Sequence, residues 1–135
     1  MNKQQVISTQ LSLYLNGTYC ETATPYQKNG VVMLPLQAVA KGVGYFVDHD
    51  SDMGVAVMYA RYIYERKTLT VRYVKKGSKI TKFYYYHSGD FIDEIAGEFA
   101  DGEIYIPVGV FSHIGWDVSV SEQGNINIRL PEKAE

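Results

Sequence analysis

The stretch Asn29-Gly30-Val31-Val32-Met33-Leu34-Pro35-Leu36, followed by Gly44-Tyr45-Phe46-Val47, returns later in the chain. There it reads Asp101-Gly102-Glu103-Ile104-Tyr105-Ile106-Pro107-Val108, then Gly115-Trp116-Asp117-Val118. The proline recurs 72 positions on, and the segment after it is one residue shorter. A repeat of this length points to two copies of one structural unit and not to a short solenoid motif. The repeated residues are turn formers, helix caps and apolar positions, with no reactive group among them. They direct the reading toward a binding or spacer module and identify no ligand.

Each copy reads as strand, helix and hairpin. In the first, residues 31–34 are a short apolar strand. Pro35 opens a helix, because a first helical residue has no N–H bond to lose. Leu36, Val39, Ala40 and Val43 then share one helical face, and Gly44 suits the C-terminal cap. Asp50-Ser51-Asp52-Met53-Gly54 turns a hairpin that returns through Val55-Ala56-Val57-Met58. In the second copy Pro107 opens the helix, Val108, Phe111 and Ile114 face inward, and Gly115 ends it. Trp116, in the place of Tyr45, reads as a core anchor.

Before the first copy, residues 6–14 carry alternating apolar positions of a strand, and Asn16-Gly17 makes a tight turn. Between the copies the chain is β-rich. Residues 59–65 continue the hairpin, Leu69, Val71 and Tyr73 alternate, Lys75-Lys76-Gly77-Ser78 turns, and residues 80–86 form the next strand. Phe91, Ile92, Ile95 and Phe99 suit a short helix or a docked loop. The expected fold is α+β: two repeated strand-helix-hairpin units, with a twisted antiparallel sheet packed around short helices. The expected domain is single and compact over residues 1–135, with units at about 6–58 and 83–130 and a β-rich insert at 59–82. No low-complexity linker separates the copies.

Composition narrows the class. A chain of 135 residues, 46% hydrophobic and 21% charged, can bury an ordinary core. The net charge of −2 gives no general attraction to nucleic acid. Arg72, Lys75, Lys76, Lys79 and Lys82 are locally basic, read first as a solvated hairpin and second as a site for an anionic partner. Cys20 is alone, so neither an intrachain disulfide nor a cysteine metal cluster is available. No apolar run reaches the length of a membrane span. Met1-Asn2-Lys3-Gln4-Gln5 lacks the apolar stretch of a signal peptide. The chain is therefore either not exported or a mature segment whose leader has been removed. Tyrosine is the outlier, at 12 residues, and favours half-wet pleated surfaces.

Asn16-Gly17, Pro25-Tyr26 with Asn29-Gly30, the helix start Leu34-Pro35-Leu36-Gln37-Ala38-Val39-Ala40, Gly44 and Val47-Asp48 resemble the copper amine oxidase N-terminal domain, or stalk domain. Gln37 stands where that family usually has arginine, and His49 where tryptophan is common. The second copy keeps Asp101-Gly102, Ile106-Pro107-Val108, Gly115 and Val118. The resemblance covers most of the chain outside residues 59–80. It implies a twisted antiparallel sheet wrapped around a helix, in exported or cell-surface proteins of Gram-positive bacteria. It does not imply the oxidase activity. No asparagine here precedes a tyrosine, as the quinone precursor requires, and His49, His87 and His113 form no His-X-His pair.

The remaining candidates are weighed against plainer readings. Asp48-His49-Asp50-Ser51-Asp52 faintly resembles a calcium loop, but Tyr59 stands where the bidentate glutamate belongs, so a structural turn comes first. Cys20 has no histidine nearby in sequence, and no Gly-X-Ser-X-Gly elbow occurs. Neither a catalytic residue nor a cofactor or metal ligand is expected. Along Phe83-Tyr84-Tyr85-Tyr86, alternate residues share a face. Tyr84 and Tyr86, joined by Tyr62 and Tyr64, are the candidate binding face, weighed against ordinary cross-strand pairing of tyrosines. The expected function is a non-catalytic, stalk-like surface module that spaces or binds, with cell-wall polysaccharide or another surface protein as partner. A carbohydrate-binding module is the first alternative; a small hydrolase or its regulator is the second. A homodimer through edge strands is compatible with this reading.

Overall fold

Tight turns punctuate a chain that is mostly strand. The computed structural model of the protein describes residues 10–60, 67–77, 79–100 and 102–131. In chain order the elements are β1 (Ser12–Leu15), β2 (Thr18–Tyr19), β3 (Tyr26–Lys28), β4 (Val31–Pro35) and α1 (Leu36–Gly42). They continue with β5 (Tyr45–Asp50), β6 (Val55–Ala60), β7 (Lys67–Lys76), β8 (Lys79–His87), β9 (Asp90–Ile95) and β10 (Glu98–Ala100). The chain then forms β11 (Glu103–Pro107), α2 (Gly109–His113), β12 (Asp117–Val120) and β13 (Asn125–Arg129). The α+β expectation agrees with this mostly antiparallel arrangement and its two short helices. Among the described residues no helix is long and apolar enough to cross a membrane.

Three hairpin turns share one geometry. Asn16 and Gly17 have φ of 52° and 86°, Asn29 and Gly30 have 51° and 81°, and Ser88 and Gly89 have 52° and 92°. Positive φ at both central residues matches the twist of the flanking strands, so each turn sends the chain straight back. This decides residues 90–100. The apolar spacing there suits a helix or docked loop, but the chain leaves Ser88-Gly89 as β9, paired on β8, and then forms β10 on β11. Both prolines also precede the first helical residue, Pro35 by one step and Pro107 by two. Pro35 is extended (φ −77°, ψ 120°) and caps α1, while Pro107 ends β11 in register with Met33, and α2 starts at Gly109.

Three sheets result, in the orders β12-β13-β1-β2, β10-β11-β4-β3 and β5-β6-β7-β8-β9. In the second, β4 and β11 pair antiparallel with Leu34 opposite Ile106. Each carries an outer strand in matching register: Tyr26 faces Met33, and Glu98 faces Tyr105. In the first, β1 runs parallel to β13, with Leu13 beside Ile126 and Leu15 beside Ile128. The third sheet is antiparallel throughout. β6 and β8 are both antiparallel to β7, which lies between them.

One core joins the sheets and helices. The inner face of the five-stranded sheet contributes Ala56, Met58, Leu69, Val71, Phe83 and Tyr85, all buried. Leu36 and Val39 of α1 and Phe111 of α2 belong to the same buried cluster. Trp116 is buried; its ring stacks on Phe111 at 5.5 Å and meets the edge of Tyr45 at 5.4 Å. Gln37 links α1 to β11, its Oε1 accepting from the Ile104 N–H at 3.2 Å.

Gly54 marks the tightest backbone approach. Its φ is +68°, and a Cβ there would lie 2.6 Å from the Tyr73 carbonyl oxygen. Its own carbonyl accepts from the Tyr73 N–H at 2.9 Å, locking the β5–β6 turn onto β7. Gly54→Ala is expected to cost about 3 kcal/mol, combining left-handed strain with a backbone clash. Urea unfolding measures it, and a loss below about 0.5 kcal/mol would show that the turn does not dock there.

Candidate functional site

The outer face of the five-stranded sheet carries the candidate site. Strand alternation sends Phe83 and Tyr85 into the core and leaves Tyr84 and Tyr86 half-buried on the outside. Tyr62 and Tyr64 lie outside the described residues. The register builds two rows across three strands. Thr70, Tyr86 and Phe91 form one; Arg72, Tyr84 and Glu94 form the other.

Phe91 ties the rows together. It is 57% exposed, and its ring lies 5.5 Å from Tyr86, edge to face, and 6.2 Å from Tyr84, tilted by 55°. The three rings are therefore a cluster and not a flat platform. A second pair, Phe46 and Tyr59, sits at 5.7 Å near the β5 edge of the same sheet. Phe91 was missed as a site residue from the sequence, and Arg72 was read only as part of a basic cluster and not as a neighbour of the tyrosines. The Ser88-Gly89 turn was the available signal, because a two-residue turn that puts His87 opposite Asp90 places Tyr86 opposite Phe91.

His49 and Glu98, two titratable groups with perturbed acidity, sit at structural joints. His49 Nε2 lies 2.7 Å from Tyr73 Oη. Its ring and that of Tyr73 both meet Phe99 of β10. Burial pushes the His49 pKa below its ordinary value; Asp50 draws it up and Lys75 pushes it down. A depressed histidine pKa means that the unfolded chain binds the proton more readily. The stabilisation is present above the ordinary value of 6.5 and is lost as pH falls through the folded-state pKa. Melting temperature is expected to fall on acidification below about pH 6.5, and His49→Phe should flatten that slope. An unchanged slope in the variant would show that His49 is not the sensor.

Glu98 makes the second joint. Its carboxylate accepts from Lys28 Nζ and from the Tyr26 hydroxyl. These bonds hold the Glu98 pKa below the usual carboxylate range. Burial and the same carboxylate raise the Tyr26 pKa well above its ordinary value.

The other candidates from the sequence take plain structural roles. Asp50 Oδ1 accepts from the N–H groups of Asp52 at 3.0 Å and Met53 at 3.1 Å, closing the hairpin turn. Among the described residues no three His, Cys, Asp or Glu side chains are placed to hold a metal ion. Cys20 lines a cleft of about 350 Å³ with Glu21, Thr22 and Lys41, and no histidine borders it. His113 Nδ1 pairs with the Tyr85 hydroxyl. Comparison with known proteins returns no match: no family model, no curated protein and no solved structure matches the chain.

Proposed function

We propose that this protein is a non-catalytic, stalk-like module of an exported or cell-surface protein, built from two related strand-helix-hairpin units. On this reading it spaces a partner domain and binds wall polymer through the outer face of its five-stranded sheet. The observation that carries the reading is the exposed ring cluster of Phe91, Tyr84 and Tyr86 on that face. A ring left 57% exposed on a broad sheet face is available to a partner.

The duplication is supported by the 72-residue offset. It relates Tyr26 opposite Met33 to Glu98 opposite Tyr105, and the turn at Asn16-Gly17 to that at Ser88-Gly89. Leu34 and Ile106, one offset apart, pair with each other, as expected where a local two-fold axis crosses β4 and β11. In this scheme β7 is the inserted strand, since it alone lacks a counterpart in the sheet of β12, β13, β1 and β2. The same turns and caps carry the resemblance to the stalk-domain family. A non-enzymatic role is supported by the histidines' partners: His49 and His113 are engaged by tyrosine hydroxyls.

The test is co-sedimentation of the protein with intact Gram-positive cell walls and with walls stripped of their polysaccharide. Saturable binding that disappears on stripping is the expected result. Absence of binding to either preparation would contradict the wall-binding role and leave a spacer or a protein-docking module.

A further inference from the structure

We infer that the ligand of this face is an acidic polysaccharide, with sugar rings against Tyr84, Tyr86 and Phe91 and carboxylate groups met by Arg72 and Lys82. The inference rests on the binding role proposed above and specifies its ligand class. It starts from how far the β7–β8 hairpin reaches. On one side, β6 follows β7 only as far as Val55 opposite Arg72. On the other, β9 follows β8 only as far as Ile95 opposite Phe83. Past these points β7 and β8 pair with each other, Val74 with Lys82, Lys75 with Ile80 and Lys76 with Lys79. The ends of β7 and β8 thus form a two-stranded arm.

The arm is charged with one sign. Residues 74–82 contain four lysines and no acid. Lys75, Lys76 and Lys82 are exposed. Lys76 stands directly opposite Lys79. The chain as a whole is acidic, so a polyanion is steered here and repelled elsewhere.

Cations and rings share one track. Lys82, Tyr84 and Tyr86 point outward along β8 at successive steps of about 7 Å, a span of about 14 Å. Arg72 stands opposite Tyr84 in the adjacent strand. Glu94 flanks Tyr84 on the far side, at the edge strand β9. Asp48 and Asp50 lie on β5, about 14 Å across the sheet from β8. The cationic zone is therefore continuous from the arm to the ring cluster. The tilted rings suit a single twisted chain and not the flat surface of a crystalline polymer.

The experiment titrates the whole protein calorimetrically with three soluble polymers: polygalacturonate, neutral dextran and poly-L-glutamate. Polygalacturonate is expected to bind, more weakly as salt rises. Replacing Arg72 and Lys82 together by glutamine should weaken it at least about tenfold, and Tyr84→Ala/Tyr86→Ala by a similar factor. Dextran binding that is equal and indifferent to these two cations would overturn the acidic ligand while leaving the aromatic face standing. Poly-L-glutamate binding as tightly as polygalacturonate, unaffected by the tyrosine substitutions, would reduce the site to charge alone and overturn the inference. Binding of no polymer would overturn it as well, and wall sedimentation then decides separately whether the binding role survives. Unchanged melting of the glutamine variant confirms that folding is not what the titration reads.

Discussion

Phe111→Ala is expected to lower the unfolding free energy by about 4 kcal/mol, the largest stability loss expected of the substitutions considered. Phe111 is fully buried on a five-residue helix. A helix that short has no stability of its own and holds its shape through packing. Its ring stacks on Trp116, which in turn rests against Tyr45 of β5. Removing the ring opens a cavity beside Trp116, whose contact with Tyr45 joins the two halves of the chain. For a domain whose net stability is about 5–15 kcal/mol, this is a large fraction. Urea unfolding followed by the fluorescence of the single tryptophan measures it directly. A loss below about 1 kcal/mol would mean that α2 is not docked on the core as described.

Tyr84→Ala/Tyr86→Ala/Phe91→Ala is expected to have the largest effect on binding: affinity for intact cell walls falls at least about tenfold, because central aromatic anchors are each worth about 2 kcal/mol. The same variant should unfold normally. The three rings stand outside the core, and each cross-strand aromatic contact contributes only about 0.2–1 kcal/mol to the sheet. The combination separates binding from folding, which no core substitution does. Wall binding retained at full strength would move the working surface elsewhere. Collapse of the fold would mean that the outer rings are structural, and Phe91→Ala alone, at the most exposed ring of the three, then decides the question.

Local signals were legible in the sequence wherever a backbone conformation demanded a particular residue. Asn16-Gly17 and Gly44 adopt positive φ where the turn and cap readings place them. Leu36, Val39 and Ala40 are the buried face of α1, as their spacing requires. The β9 strand was not legible from apolar spacing, because Phe91, Ile92 and Ile95 fit a helical face about as well as a strand. What decides between them is the turn at Ser88-Gly89 and the pairing partner it dictates. Gly97 adds a second constraint that only the fold reveals: a Cβ there would lie 2.7 Å from the Phe83 ring.

Non-local pairing was also hidden. Nothing in residues 31–35 or 103–107 taken singly announces that β4 and β11 pair, nor that β1 lies parallel to β13. Of the candidate site, the outward direction of Tyr84 and Tyr86 was legible from strand alternation. The presence of Phe91 and Arg72 beside them was not, because it depends on the register of three strands.

The central claim is that the outer face of β7, β8 and β9 is the working surface. The most direct measurement is an amide chemical-shift map of the whole protein titrated with polysaccharide released from the wall. The account predicts the largest shifts at Thr70, Arg72, Tyr84, Tyr86 and Phe91. Shifts concentrated around Cys20 and Lys41, on the β1–β2 and α1 side, would contradict it.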